Sequence, residues 1–495
     1  MSMMTITPTD MREMERAFME GTGYPPVLLM EHAAQAVAET LLRMTHAGAR
    51  ATFVCGGGNN GGDGFAAARL WLARGGRAQV VALQDISALS GDARLNAQLL
   101  SGMGAEILTG VDALLDLESP GEAVVDAIFG TGLTRDVRGD YALAVDWINR
   151  SGVPVLAVDI PSGVDGATGE IRGCAVRATE TVTFHRPKYG HYLFPGRTNT
   201  GKLTVADIGI FPEWDDADGA RVLSDTDVQA MLAPRAQDAH KGSFGRVLIA
   251  AGSRGMAGAA ALCALGCVRS GAGLTRVACP QGVLEIVQAL CPCATATPLA
   301  EADGALACEA QEELTRLARE NDVLAIGPGL STKPGAWKAI RALVMSDQRK
   351  VLDADALNLL AQHPETMAGQ NTVITPHPGE AARLLGVSIA DITAAPLESA
   401  QELSQRTGAV VLLKGATSVI TDGEEVTLNL TGCPGMAKGG SGDVLTGVIA
   451  ALMAQGLAPY EAASLGAFLH GRAGERAQEA YGERAMTAME LSRAL

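Results

Sequence analysis

The chain has 495 residues, beyond the ~250–300 at which a single core stops growing, so two domains are expected. Apolar residues make up 47% and charged residues 19%, which excludes a disordered chain. The net charge is −16 and no Lys/Arg cluster exceeds two residues, which excludes a nucleic-acid partner.

Glycine is in excess, 59 residues or about 12% against a usual ~7%, without the three-residue period of collagen. Glycine at strand ends marks tight turns where backbone approaches a ligand. Met1–Arg12 lacks the basic and apolar segments of a signal peptide. The longest apolar run, Gly255–Val268, is too short to span a bilayer. A cytoplasmic protein with no membrane partner is expected. None of the nine cysteines has disulfide or zinc spacing, so buried free thiols are expected, Cys263 and Cys267 one helical turn apart.

In chain order, Asp10 is expected to cap a first helix running through Met14 and Phe18, and a second spans Pro26–Met44. Strands follow at Ala51–Cys55, Gln79–Leu83, Ala123–Phe129 and Val153–Ile160, with a helix over Gly64–Ala73. Thr181–Phe184 and Lys202–Ile208 are expected as edge strands. Near-continuous apolar strands alternating with helices mean a parallel sheet covered on both faces. The acidic stretch Glu213–Gly219 marks the boundary, giving domains over 1–215 and 222–495. A second series has strands at Arg246–Ala251, Leu274–Ala278, Val323–Ile326, Lys350–Asp353, Thr372–Ile374 and Val410–Leu413. A helix-rich tail follows Gly442.

In the first domain, Gly56–Gly61 satisfies the GxGxxG pattern between strand and helix. Its Asn59-Asn60 pair and Asp63 sit poorly with a pyrophosphate at the helix start, and the acid usual about 20 residues on has only Asp85 as a candidate. Asp126 lies inside an apolar strand and must be hydrogen-bonded, paired or metal-bound. Asn60, Asp126 and Ser162 offer oxygen alone, which suits a hard cation. Asp159, at a strand end, is a candidate acid/base.

The segments Asn59-Asn60-Gly61-Gly62-Asp63-Gly64, Asp159-Ile160-Pro161-Ser162-Gly163 and Phe184-His185-Arg186-Pro187-Lys188 resemble the epimerase domain of the NAD(P)H-hydrate repair enzymes. The resemblance implies that Asn59–Asp63 and Gly130, Thr131, Gly132, Leu133, Thr134, Arg135 and Asp136 hold the hydrated nucleotide. It implies potassium at Asn60, Asp126 and Ser162, and catalysis by Asp159 with Lys188 nearby. The activity implied is epimerisation at C6 of the hydrated nicotinamide ring.

In the second domain, Gly435–Asp443 leads into the apolar helix Val444–Ala454. Glycine N–H groups at a helix start form an anion site. Asp443 there suits deprotonating a hydroxyl that attacks phosphate; a plain N-cap is the other reading. Lys414-Gly415-Ala416-Thr417-Ser418 offers a lysine with loop donors for phosphate, or an ordinary hairpin turn. His377, held between prolines, favours a ligand contact.

Gly-Ser-Gly-Asp with a late Lys-Gly-Ala-Thr resembles the ribokinase-like superfamily. With Gly327–Leu330, Asp353–Leu357 and Thr375–Glu380, the set resembles the ADP- or ATP-dependent NAD(P)H-hydrate dehydratases. That implies nucleotide at Lys414, Gly415, Ala416, Thr417, Ser418 and Gly442, and the hydrate at Ala259, Gly329, His377 and Asp443, with Mg2+ accompanying the nucleotide. Two departures stand out: Cys291–Thr295 where a Pro-Glu pair is frequent, and Ser331 where a glycine is common.

The fold class expected is therefore α/β in two domains. The first is a Rossmann-like three-layer α/β/α and the second a ribokinase-like α/β. The expected protein is a homo-oligomer acting on hydrates of NADH and NADPH (NADHX and NADPHX) with ADP or ATP. The alternative is a ribokinase-like vitamin kinase fused to a dinucleotide-binding domain.

Overall fold

The computed structural model describes residues 3–232, 234–366 and 368–495. The chain divides into two compact units, Met4–Ala220 and Arg221–Leu495 with Met3.

In the first unit a seven-stranded sheet is formed among the described residues. Its order is Ile107–Thr109, Arg77–Ala82, Arg50–Cys55, Ala123–Ala127, Val155–Val158, Glu180–Phe184 and Lys202–Ala206. Every pairing is parallel. Alternate side chains feed two cores. Phe53, Cys55, Val125 and Ala127 join the helices Pro8–Thr22, Pro26–Met44 and Asn59–Ala73. Val54, Val81 and Val124 meet Val145 and Ile148 of Asp140–Arg150 on the other face. Three layers follow from the period-two alternation of a strand covered twice.

Some expectations are corrected here. Thr7, not Asp10, caps the first helix: its Oγ1 accepts from the Asp10 N–H at 3.1 Å. Thr7 is the last extended residue, and Asp10 already lies in the first turn. The third helix starts at Asn59 rather than Gly64. Glu180–Phe184 is not an edge strand, because Lys202–Ala206 pairs along its outer side. Asp85 caps the short helix Ile86–Ala88 by accepting from the Ser87 N–H at 2.7 Å.

The second unit has an 11-stranded sheet among the described residues. Arg246–Ala250, Val323–Ile326, Arg349–Leu352, Thr372–Ile374 and Val410–Leu413 run parallel side by side. Ser418–Thr421 and Val426–Asn429 continue it antiparallel. Helices Ala257–Arg269 and Ser441–Ala454 pack over one face, burying Cys263, Cys267, Val448 and Ile449. All nine cysteines are free, but Cys293 and Cys308 are exposed. Both lie in connections outside the helices and strands, which corrects the expectation that every thiol is buried. Ser331 has φ +79°, a left-handed backbone that a glycine adopts without penalty.

Candidate functional site

Parallel strands align their C-terminal ends, so the loops leaving them gather along one sheet edge. In the first unit Cys55 lies beside Ala127, and Val158 beside Val182. The loops after these strands carry Asn59–Asp63, Gly130–Asp136, Asp159–Ser162 and, after Phe184, Lys188.

Asp126 and Ser162 are fully buried. The Ser162 hydroxyl donates to Asp126 Oδ1 at 2.6 Å, and the Ser162 N–H donates to Oδ2 at 2.8 Å. The turn Ile128–Gly130 ties in the third member of the set. The Ile128 N–H donates to Asp126, the Phe129 N–H donates to Ser162 Oγ, and Gly130 sits against the Asn60 amide. No cationic side chain among the described residues offsets Asp126, and burial raises its pKa to about 6 against the Ser162 and Ile128 hydrogen bonds. The Asn60 amide nitrogen is buried without a partner. An all-oxygen donor set around an uncompensated buried carboxylate fits a hard cation.

Asp159 adopts φ +63°, which turns its side chain off the strand end at a cost tolerated at functional positions. Lys188 Nζ donates to Asp159 Oδ1 at 2.7 Å and to Thr183 Oγ1 at 3.0 Å. Thr183 in turn donates to the same carboxylate oxygen at 3.0 Å. Burial pushes Asp159 up, but the Lys188 ammonium and these hydrogen bonds outweigh it and hold the carboxyl below its usual range. His191 fixes the frame: Nδ1 accepts from the Lys188 N–H and Nε2 donates to the Asp159 carbonyl. Burial lowers its pKa to about 4, so the ring is neutral. Asp159 thus presents an ionised carboxylate whose Oδ2 has no hydrogen bond among the described residues.

Asp63 stands in the second turn of the third helix, and burial, with the Asp159 and Glu15 charges, raises its pKa far above the usual carboxylate range. Gly130, Thr131 and Leu133 are half-buried, whereas Gly132, Thr134, Arg135 and Asp136 are exposed. The loop therefore offers a surface rather than a closed pocket. Glu15 is a group the sequence reading missed. It belongs to the first helix, and its pKa rises to about 7 by burial, with Lys188 and Asp159 among the charges it senses. Its spacing from Met11, Met14 and Phe18 is the signal that could have found it.

In the second unit the fixed point is Asp353, which is 1% exposed. It accepts from Lys414 Nζ at 2.9 Å, Thr375 Oγ1 at 2.9 Å and Thr446 Oγ1 at 2.8 Å. Three segments far apart in sequence meet on one carboxylate. Lys414 therefore lies inside the site although its loop is a hairpin turn, with Leu413 opposite Val419. A Cβ on Gly442 would lie 3.3 Å from Lys414 Nζ, so the glycine helix start and the lysine share one space. Gly415 and Ala416 are exposed, Ser418 is half-buried and Thr417 is buried.

Asp443 is not the cap of its helix; Gly440 is, with φ +97°. The Asp443 carboxyl has no hydrogen bond or ion pair among the described residues. Burial, then the Asp353 charge, raises its pKa to about 7 against the Lys414 ammonium. His377 caps helix Pro378–Leu385 through Nδ1, which accepts from the Gly379 N–H at 2.9 Å. Glu380 accepts from the His377 N–H and lies 4.0 Å from Lys414 Nζ. Gly329 packs against Ala259, and its carbonyl accepts from the Ser253 hydroxyl at 2.8 Å.

Two α/β units, each carrying a buried carboxylate–lysine pair at the C-terminal edge of its sheet, define an enzyme with two sites. Comparison with known proteins names it further. A family model described as NAD(P)H-hydrate dehydratase matches residues 247–495, and one described as YjeF-related protein N-terminus matches residues 27–190. The chain is 41% identical over 505 residues to the bifunctional NAD(P)H-hydrate repair enzyme Nnr of Moorella thermoacetica, covering 99% of this chain and 95% of the relative. It is 36% identical over 486 residues to the protein of that name from Escherichia coli, covering 97% and 91%. A solved Streptococcus mutans protein described as hypothetical is 27% identical with a TM-score of 0.50, covering 55% of this chain and 96% of that one. An ADP/ATP-dependent NAD(P)H-hydrate dehydratase of Bacillus subtilis, co-crystallised with ATP and Mg2+, is 30% identical with a TM-score of 0.47, covering 55% and 94%. The chain belongs to the family of bifunctional NAD(P)H-hydrate repair enzymes. Its fold is two α/β units, each built on a largely parallel sheet.

Proposed function

We propose that the first unit interconverts the two C6 epimers of hydrated NADH and NADPH, and that the second unit dehydrates the S epimer at the expense of ADP or ATP. The observation that carries this reading is a pair of differently tuned carboxylates. Asp159 is held ionised beside Lys188, and Asp443 is raised to about 7 beside Lys414.

The substrate carbon bears a hydroxyl and the ring nitrogen, so it is a hemiaminal. Asp159 takes the hydroxyl proton as the C–N bond opens to an aldehyde. Rotation and reclosure, with the proton returned, invert the carbon. In the second unit Asp443 takes the proton of the same hydroxyl as its oxygen attacks the terminal phosphorus of the nucleotide, and the bridging P–O bond breaks to release AMP from ADP or ADP from ATP. Phosphate then leaves with a proton from the neighbouring carbon, restoring the dihydronicotinamide. Phosphate is the better leaving group, which gives a kinase-like fold a reason to perform a dehydration. Lys414, Thr417, Ser418 and the N–H groups at Gly442 are read as the nucleotide's donors, and Gly329, His377 and Ala259 as the hydrate's walls. Mg2+ would offset the nucleotide's charge, carried mainly by phosphates and water.

The test is optical. A mixture of both hydrates, freed of NADH, is incubated with the full chain, Mg2+ and either nucleotide, and absorbance of the reduced nicotinamide is followed. Complete recovery is expected. No recovery with either nucleotide sinks the dehydratase reading, and a stable phosphorylated product in place of free phosphate favours a small-molecule kinase.

Potassium is read into the set Asn60, Asp126 and Ser162, where it would neutralise Asp126 and hold the Ile128–Gly130 turn. Transfer at pH 8 from tetramethylammonium chloride to KCl of equal ionic strength should raise the melting temperature. Each kcal/mol of linkage is worth about 2–4 °C in a unit of this size. Asp126→Asn should abolish that difference. An unchanged difference in the variant counts against this cation site. That all nine cysteines are free thiols supports a reducing, cytoplasmic setting.

A further inference from the structure

The helix Pro8–Thr22 buries Met11, Met14 and Phe18. Residues at i, i+3, i+4 and i+7 form one stripe of a helix, and in this helix the i+4 member is Glu15. A carboxyl thus occupies a position that amphipathic packing reserves for an apolar side chain. It is half-buried, and it makes no hydrogen bond or ion pair among the described residues. Burial of that kind is costly and is kept where a site uses it.

The helix is aimed by its start. The Ile6 N–H donates to the Pro187 carbonyl at 2.9 Å and Ile6 bridges to Lys188. Pro8 packs against Gly166, which also meets Thr131 of the substrate loop. The chain therefore enters the helix from the residue that grips Asp159. The charges that Glu15 senses are those of Lys188, Asp159 and Arg12, and Asp63 senses Glu15 in its turn. Three carboxyls face Lys188, with Arg12 the one further cation that Glu15 senses, and of the three only Asp159 is held down while Glu15 and Asp63 are pushed up.

We propose that Glu15 is the acid that works with Asp159 as base on one substrate in this unit. The proposal rests on the epimerase reading and completes its proton balance. Opening the hemiaminal leaves the bonding electrons on the ring nitrogen. Asp159 takes the hydroxyl proton, and Glu15 gives its own proton to that nitrogen as the C–N bond breaks. On reclosure the nitrogen's proton returns to Glu15 and Asp159 returns its proton to the oxygen, so both groups end as they began. Without the acid, the nitrogen would leave as an anion.

The test uses the full chain and two separate readouts: epimer exchange followed by chromatography of the two hydrates, and nucleotide-dependent recovery of the S epimer by absorbance. Glu15→Gln should slow exchange by about 100-fold or more and leave recovery of the S epimer unchanged. Wild-type exchange should fall as pH rises through about 7, where Glu15 loses its proton, and the variant should lack that alkaline limb. Glu15→Asp, which keeps a carboxyl, should retain part of the exchange and the limb even if the amide variant folds poorly. Wild-type exchange rates in Glu15→Gln, or a slowed variant that keeps the alkaline limb, overturn the proposal. A wild-type chain that recovers the S epimer but never exchanges epimers overturns the epimerase reading itself.

Discussion

Asp443→Asn should abolish nucleotide-dependent recovery of the dihydronicotinamide and leave epimer exchange at its wild-type rate. An asparagine keeps the shape of the side chain but cannot accept the hydroxyl proton. Loss of a positioned base is worth about 10²–10⁴-fold, so recovery over minutes should become recovery over many hours. The wild-type rate should rise with pH through about 7, because only the ionised Asp443 is a base. The same shift has a stability consequence of defined sign. A carboxyl raised from 3.8 to about 7 contributes stability in full below its ordinary value, and the contribution is lost as pH climbs through about 7. The variant should therefore melt higher than wild type at pH 8, by at most about 4 kcal/mol in free energy. The two readings of Asp443 separate here. A helix cap replaced by asparagine would change neither activity nor its pH dependence. A variant with near-full recovery removes Asp443 from the chemistry.

Much of this architecture was legible in the sequence where an apolar run ends at a turn residue. Helix Pro26–Met44 and strands Val323–Ile326, Thr372–Ile374 and Val410–Leu413 begin and end where periodicity places them. The start of the third helix was not, because Asn59, Asn60, Gly61 and Gly62 are poor helix formers. Tertiary contact overrides propensity there. A Cβ on Gly61 would lie 1.9 Å from the Gly56 carbonyl oxygen, and one on Gly62 would lie 2.7 Å from Met30. The glycine excess accordingly has a second use beside ligand approach. A Cβ on Gly327 would lie 1.8 Å from the Asp353 carbonyl oxygen, so this residue lets two strand ends close on each other. The Lys414–Asp353 pair spans 61 positions, and no local pattern announces it. Glu15 was hidden differently: it is one acid among several on its helix, and only the buried stripe separates it from Glu13 and Glu20.

Asp159→Asn should confine recovery to one epimer. Wild type, given both hydrates, should restore all of the nicotinamide, because exchange feeds the dehydratase. The variant should consume the S hydrate at the wild-type rate and then stall at the slow spontaneous rate of epimerisation. The substitution also disturbs folding, since Lys188 is 1% exposed and would lose the carboxylate it grips at 2.7 Å. Breaking a buried pair on one side costs about 3–5 kcal/mol, so lost exchange alone would not distinguish chemistry from a damaged unit. The double variant Asp159→Asn, Lys188→Met resolves this. Removing both charges should recover part of the lost stability, with a coupling energy of about 0.5–3 kcal/mol in the double-mutant cycle, yet none of the exchange. Asp159 is held below its usual range, so its stabilising contribution is present above the ordinary carboxylate value and is lost as pH falls. The melting temperatures of wild type and double variant should therefore converge in acid. Restored exchange in the double variant would show that Asp159 shapes the site without carrying the proton.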